Sequence, residues 1–523
     1  MRKTKVILFS LTALLLFFSM IQKQTHLVGF RKLEGVEEET GMPRLSFANF
    51  RGGLFQSQAE QHLKQQFGCR EPLIRLYNQY LWDFYGKTNT TLWQIAFGKD
   101  GWLYEPWFVE DYYQGRNHAL GLDSLGMVRK FEEETFHIFQ LQHLLESCGT
   151  HLMVCLLPGK DLIYPEYLPD NDRYFEKKTI TARDYFGPEF RKLGINHVDV
   201  EQWFLQMKDT ASFDLFPQAG THWSNVASLY VADSVIKYME ELGDMNIHNL
   251  RIGKPEIGKT QHPDNDLESL MNLIRPIGDN LGLHASVETD HDTTASKPKI
   301  IVIGDSFFWN IALQLPMGSI FSAYPYWYYN STIYYDDLHR STKDVDVIKE
   351  LLSADFVILS YCSVQQYYMS NGFAKKALVS LCVDSSDFRQ RKENLMAYIK
   401  TDEKWYEGLI RKSQENGKPL EEVLAAEAEL QMYMNWKEFF PELCDSVPNK
   451  RSTAFKQTFN TSEAVQAERQ RIEDGWRRTP EIMDMLQKKA ENRGISLDSM
   501  MTIDIQWMID EEIRNGELTL KAK

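Results

Sequence analysis

Ile300-Ile-Val-Ile-Gly-Asp-Ser-Phe307 is the stretch whose reading decides the fold. Four apolar β-branched residues, bounded by Lys299 and Gly304, read as a short buried strand of the kind found in parallel sheets covered on both faces. The strand leads straight into Gly304-Asp305-Ser306. In open α/β sheets ligands bind beyond the carboxyl ends of the strands, so Ser306 stands where a reacting group belongs. Gly304 is expected to turn the backbone sharply. The Ser306 N–H, near a helix start, can point at a developing oxyanion. The same tripeptide also fits a plain turn with Ser306 as a helix cap.

Other segments extend the pattern in both directions. Leu152-Met-Val-Cys-Leu-Leu157 is a second buried run, ending at Pro158-Gly-Lys160, and Ile195–Val200 and Phe356–Leu359 read as further strands. Helical spacing over 123–147 and Ser224–Leu242 separates them, which implies βαβ units and a mostly parallel sheet. Residues 47–385 are therefore read as one α/β domain with a polar insertion at 250–298. Ahead of the strands, Ser57–Trp82 reads as helix with Pro72 at a break or first turn. Leu63, Phe67, Leu73, Leu76, Tyr77 and Tyr80 supply its apolar positions. Trp102-Leu-Tyr104 reads as a short strand leaving the turn Gly98-Lys-Asp-Gly101. Beyond residue 386 the spacing is helical throughout. Leu409 to Gly417 and Leu420 to Leu424 are echoed by Leu486 to Gly494 and Leu497 to Met501, two copies of helix, glycine turn, helix. Residues 386–523 are read as a C-terminal helical module for interaction or packing.

The N-terminus bears on location. Arg2, Lys3 and Lys5 precede an apolar run from Val6 to Ile21, broken only by Ser10, Thr12 and Ser19. No small-residue cleavage site follows. Residues 1–23 read as an uncleaved signal-anchor, with a cleaved signal peptide as the alternative, and 24–46 as a polar tether. Basic residues stay inside, so the rest of the chain is expected on the extracytoplasmic, periplasmic side. The net charge of −15 argues against nucleic acid, which calls for clustered Lys and Arg. Aromatic residues make up 13% of the chain, which suits core packing and also a carbohydrate-facing cleft. Six cysteines contain no CxxC pair, and Cys148 and Cys155 are close enough in sequence to bridge.

A nucleophilic serine needs a base. His222, in Gly220-Thr-His-Trp-Ser224, precedes a predicted helix and can project into a cleft with Trp223 as a wall; Ser224 or Asn225 capping that helix accounts for the loop equally well. Lys160 and Tyr164 follow a strand end, where they can position a sugar or an acyl oxygen or simply build a turn. Asp290-His-Asp292 looks like a metal loop, but three adjacent ligands do not converge easily. No metal or cofactor is expected. HExxH, P-loop and GxGxxG motifs do not occur.

Taken together, Gly304-Asp-Ser306 and Thr221-His-Trp223 resemble the SGNH hydrolase-like domain of alginate O-acetyltransferases, the AlgJ/AlgX type, also called the DHHW family. Phe67-Gly-Cys-Arg-Glu-Pro-Leu73, Gly98-Lys-Asp-Gly-Trp-Leu-Tyr104 and Pro158-Gly-Lys-Asp-Leu-Ile-Tyr-Pro165 are similar to further segments of that family. His222 also precedes Ser306, as in the alginate branch. The resemblance covers about residues 47–385. It implies a three-layer, flavodoxin-like mostly parallel sheet with Ser306 as nucleophile, His222 as base and the Ser306 N–H in the oxyanion hole. It also implies transfer of acetyl to an exported polysaccharide, and a multispanning membrane O-acyltransferase as acetyl supplier. An acetyl esterase acting on glycans is the alternative, as is a non-catalytic polysaccharide-binding or assembly protein. The family pattern is Asp-x-His-Trp, whereas this chain has Gly220 in place of the acid. Asp199, Asp214 and Asp305 are the substitutes considered for it. A Gly220→Asp substitution is expected to raise turnover if the native site lacks an orienting acid.

Overall fold

The structure, a computed structural model, describes residues 2–35, 41–89, 95–170, 180–335, 340–443 and most of 469–505. Helix α1 (Arg2–Thr25) is long and apolar enough to cross a membrane over Thr4–Thr25. The single helix expected over 57–82 is two, α2 (Leu54–Gln65) and α3 (Arg70–Tyr85). The chain breaks between them at 66–69. Pro72 falls in the first turn of α3, where a missing N–H leaves no intrahelical bond unmade.

The central sheet contains β1 (His151–Leu157), β2 (His197–Asp199), β3 (Ile300–Gly304), β4 (Tyr326–Tyr328), β5 (Thr332–Tyr334) and β6 (Phe356–Cys362). Their spatial order is β5-β4-β3-β6-β1-β2. All neighbours are parallel except β5, which returns antiparallel to β4 through a hairpin. Alternate side chains enter two separate cores. Met153, Cys155, Ile300, Val302, Phe356 and Ile358 face one side. Leu152, Val154, Ile301, Ile303, Val357 and Leu359 face the other. Burial on both faces is what makes these strands unbroken apolar runs, and each fully buried aliphatic side chain contributes roughly 1.5–3 kcal/mol.

Helices cover both faces. α4 (Ser124–Ser147, capped by the Asp123 carboxylate), α5 (Ala182–Leu193) and, after β6, α9 (Phe373–Cys382) line one core. α6 (Asn225–Gly243) and α8 (Phe307–Gln314) line the other. Between α6 and β3 the polar insertion forms an arm. Leu250–Ile252 pairs with Val287–Thr289, and Glu256–Lys259 pairs with Leu281–His284, both antiparallel. The far end of this ribbon carries the short helix α7 (Asp266–Met271).

Helix α9 (Phe373–Cys382) leads into α10 (Ser385–Thr401), α11 (Glu403–Asn416) and α12 (Leu420–Met434). Gly417 caps α11 at φ 63°, which gives the helix, glycine turn, helix of the first repeat copy. In the second copy Pro480–Arg493 is helical, while Gly494 and Ile495 lie outside the described residues. Met432, Trp436 and Phe440 enter the core beneath α4 and α9, so the helical module shares a core with the α/β domain. The bridge considered between Cys148 and Cys155 is not formed: Cys148 is exposed after α4 and Cys155 points from β1 into the core.

Gly304 has a different reason from the one expected. It lies in strand register opposite Ser360, and a Cβ there would sit 2.3 Å from the Ser360 carbonyl oxygen. Close approach of two strands, rather than a left-handed turn, requires glycine at this position.

Candidate active site

The carboxyl ends of β1, β3 and β6 lie side by side, and the chain leaves β3 at Asp305-Ser306. Asp305 fastens this exit. Its carboxylate accepts from the N–H of Cys362 at 2.7 Å and of Phe307 at 3.1 Å, and its carbonyl accepts from Tyr326 Oη. Burial raises its pKa, against the pull of those N–H groups. It is a tie between strand ends and takes no part in orienting the histidine.

Ser306 begins α8 with its Oγ 2.8 Å from His222 Nε2. The other ring nitrogen, Nδ1, lies 2.5 Å from Asp266 Oδ2. An acceptor at Nδ1 holds the proton there and leaves Nε2 free to accept from Ser306. Asp266 is itself fixed, because its Oδ1 accepts from the N–H of Thr221 at 2.8 Å and of Leu267 at 2.7 Å. Burial acts to lower the His222 pKa, but the Asp266 carboxylate outweighs it, and the imidazole titrates above its usual value. Phe307 closes against the ring edge-on at 4.9 Å.

Asp266 comes from the arm. The arm reaches the 219–225 loop and bonds to it repeatedly: Glu268 N–H to Ala219 O at 3.0 Å, Thr221 N–H to Asp266, and Asn225 N–H to Asp264 Oδ1 at 2.9 Å. Gly220 permits this. A Cβ on Gly220 would lie 2.8 Å from the Asp264 carbonyl oxygen. The arm occupies the space that an acid at position 220 would fill, and it brings an acid of its own.

The three acids considered from sequence stand elsewhere. Asp199 caps the following helix through Gln202 N–H and pairs with Arg191 at 2.9 Å. Asp214 is exposed, and its carbonyl accepts from Ser224 Oγ at 2.6 Å. Asp305 makes the ties described above. The proposed substrate contacts are also corrected. Lys160 is 1% exposed, and its Nζ donates to the carbonyls of Leu103, Gln218 and Gly220 at 2.8–2.9 Å. Trp102 and Tyr104 rings lie 4.8 and 5.0 Å from the same Nζ. Burial opposes the charged form, but a neutral amine has only two N–H donors for three carbonyls, so the ammonium fits this cage. Tyr164 Oη accepts from Leu215 N–H, and Trp223 is fully buried against Phe204 and Phe307. All three hold the His222 loop from behind. Lys160→Met is expected to strand three buried carbonyls, lowering stability by roughly 2–4 kcal/mol and turnover with it; urea unfolding midpoints and ester assays check both.

In front lies a cleft of about 730 Å³, lined by Ser306, His222 and Asp266 and by Glu105, Tyr328, Tyr329 and Arg31. Glu105 escaped the sequence reading. Its Oε2 accepts from Thr221 Oγ1 at 3.0 Å and from Trp107 Nε1 at 2.9 Å. Burial pushes its pKa up to about 7, against the pull of His222. Tyr329 and Asn330 sit at φ 48° and 49° in the β4–β5 turn, where both central residues of a tight hairpin turn take positive φ. Among the described residues no group of three or more His, Cys, Asp or Glu side chains is arranged to hold a metal. The residues of the Asp290-His-Asp292 loop are engaged separately: Asp290 with His248 at 2.9 Å, and Asp292 with Asn246 at 2.8 Å.

Residues 95–330, which contain Glu105, His222, Asp266 and Ser306, match the family model described as an SGNH hydrolase-like domain, acetyltransferase AlgX. This stretch, somewhat under half of the chain, resembles the AlgJ/AlgX-type SGNH hydrolase-like family. The resemblance points to acyl transfer in general. Solved structures similar to this chain include the O-acetyltransferase domain of Pseudomonas putida AlgJ, at 17% identity over 52% of this chain and 92% of that one, TM-score 0.33. Pseudomonas aeruginosa AlgX follows at 11% identity over 54% and 67%, TM-score 0.35. Bacillus cereus PatB1 is similar at 12% identity over 46% and 90%, TM-score 0.31. No curated protein matches the chain in sequence.

Proposed function

We propose that this protein is an extracytoplasmic O-acetyltransferase that modifies an exported polysaccharide through an acetyl-Ser306 intermediate. The observation that carries the proposal is the linear relay Asp266–His222–Ser306, with contacts of 2.5 and 2.8 Å. Ser306 Oγ attacks the acetyl carbonyl of the donor while its proton passes to His222 Nε2. Asp266 keeps the imidazole oriented and stabilises it as imidazolium. The negative charge on the tetrahedral intermediate falls beside the Ser306 N–H, which has no acceptor among the described residues. Collapse breaks the donor's acyl bond, and the leaving group takes the proton from His222. A sugar hydroxyl then attacks the acetyl-serine as it gives its proton to His222, and collapse of the second tetrahedral intermediate breaks the bond to Ser306 Oγ, which takes that proton back from His222.

The polysaccharide, the anchored extracytoplasmic location and a multispanning membrane acyltransferase as acetyl supplier extend the family resemblance to this chain. The apolar length of α1 supports the anchor. An esterase would use the same acyl-enzyme with water as acceptor. The non-catalytic reading rested on Gly220, and the contact between Asp266 and His222 removes that support. The test is to incubate the full chain with a chromogenic acetyl ester, with and without an oligosaccharide. Peptide mass spectrometry is expected to find the acetyl group on Ser306, and acceptor is expected to divert product from acetate to acetylated sugar. Acetate alone at every acceptor concentration makes the protein an esterase; no adduct and no turnover sinks both enzymatic readings.

A further inference from the structure

Helix α3 is built inside out. Leu73, Leu76, Tyr77, Tyr80 and Phe84 fall within a roughly 100° arc at the helical period, the stripe a surface helix ordinarily turns to its core. Here all five are exposed, Tyr80 by 48% and Phe84 by 72%. The opposite stripe, Arg75, Asn78 and Gln79, is polar and buried. That inversion is enforced by bonds. Asn78 Nδ2 donates to Met271 O at 2.7 Å, and Arg75 donates to Leu273 O at 3.2 Å and Lys32 O at 2.8 Å. Gln79 Oε1 accepts from the N–H of Ile274 and Arg275 at 3.1 and 2.9 Å. Rotating α3 to bury its apolar stripe would break every one of these, so the exposed face is a fixed feature of the fold.

Two observations identify what lies against that face. The first is continuity with α1. Gly68, two residues before α3, abuts the last turns of α1 so closely that a Cβ would lie 2.2 Å from Ser19 O. Ser19 and Gln22 are buried, in contrast to the exposed apolar side chains of α1. The end of the apolar span, marked by Lys23, and the start of α3 therefore lie at the same level. The second is composition. The stripe mixes Leu and Phe with two tyrosines, whose apolar rings and polar tips suit the boundary between lipid tails and headgroups. Phe47, Phe50 and Leu54, earlier in the chain, are exposed as well.

We infer that α3 lies on the outer face of the bilayer with its apolar stripe at the headgroup–acyl boundary, as interfacial helices do. The inference rests on reading α1 as an anchor. Its consequence concerns the site. The backbone that α3 grips, 271–275, directly follows α7, which begins with Asp266. The strap after α1 is docked on the same loop, through Glu34 N–H to Asn272 Oδ1 at 2.9 Å, and it lines the cleft with Arg31 and Glu34. The cleft is thereby held at the membrane surface, within reach of an acetyl donor delivered there.

The test places a photoreactive p-benzoylphenylalanine at Tyr80 in the full chain, reconstituted in nanodiscs of phosphatidylethanolamine and phosphatidylglycerol. Leu14 in α1 and Tyr398 on exposed α10 carry the same probe as controls. Lipid adducts at Tyr80 comparable with those at Leu14, and far above those at Tyr398, are the expected result. Adducts at Leu14 but not Tyr80 overturn the inference and leave the anchor standing. Adducts at neither position fail the anchor reading and the inference with it. In native membranes, crosslinks from Tyr80 to a membrane protein in place of lipid make that protein the occupant and overturn the lipid assignment.

Discussion

Asp266→Asn is expected to lower kcat/KM for an acetyl ester by about 10³–10⁴-fold while leaving the protein folded. The asparagine keeps the size of the side chain, and its carbonyl can still accept from Thr221 and Leu267, so the arm stays docked. What changes is the group facing His222 Nδ1, 2.5 Å away. An amide donor in that position favours the tautomer with its proton on Nε2, where Ser306 needs an acceptor. The pH profile adds a second readout. The carboxylate holds the His222 pKa above its usual value, and only the neutral imidazole can take the serine proton. Activity in the native protein is therefore lost as pH falls through that raised pKa. In Asp266→Asn the residual activity should persist to lower pH. Groups that act as a unit are not additive, so Asp266→Asn combined with Ser306→Ala should be no slower than Ser306→Ala alone. An Asp266→Asn variant with native turnover would remove Asp266 from the mechanism.

Legibility in the sequence followed locality. Ile300–Ser306 announces itself because a buried parallel strand and its exit are written in adjacent residues, and His222 stands beside the cap of its own helix. Asp266 does not. It sits 44 residues from His222 in a polar insertion with no periodicity, and only the arm's pairing brings it back. Lys160, Tyr164 and Trp223 have the chemistry of a sugar cleft, but burial turns them to the rear of the loop. The segment 24–46 reads as a polar tether, and Arg75 and Asn272 dock it through backbone acceptors and donors that residue type does not reveal. In α3 the apolar residues keep the helical period, but apolar spacing reports only that a helix has a stripe and is silent about what the stripe meets.

Gly220→Asp is the substitution on which sequence and structure disagree in sign. From the family pattern it restores a missing acid and raises turnover. In the folded protein the Cβ alone would stand 2.8 Å from the Asp264 carbonyl oxygen and 3.0 Å from its carbonyl carbon and from Pro217 Cγ. Two of those atoms are backbone and the third belongs to a ring, so no flexible side chain can swing aside. Residues 264–266 must retreat, and the Asp266 contact with His222 opens with them. Overpacking of this kind costs typically 1–3 kcal/mol. Losing the orienting contact should bring turnover down by about 10²–10⁴-fold, toward the Asp266→Asn level. Gly220→Ala carries the same Cβ without the charge and should fall nearly as far, which separates the steric cause from repulsion between two carboxylates. The double variant Gly220→Asp with Asp266→Asn decides the remaining point. If it regains activity over Asp266→Asn alone, an acid at position 220 can serve His222 once the arm yields, and the two positions are interchangeable sources of one carboxylate. If Gly220→Asp alone raises turnover, the arm is not the source of the acid and the relay through Asp266 is wrong.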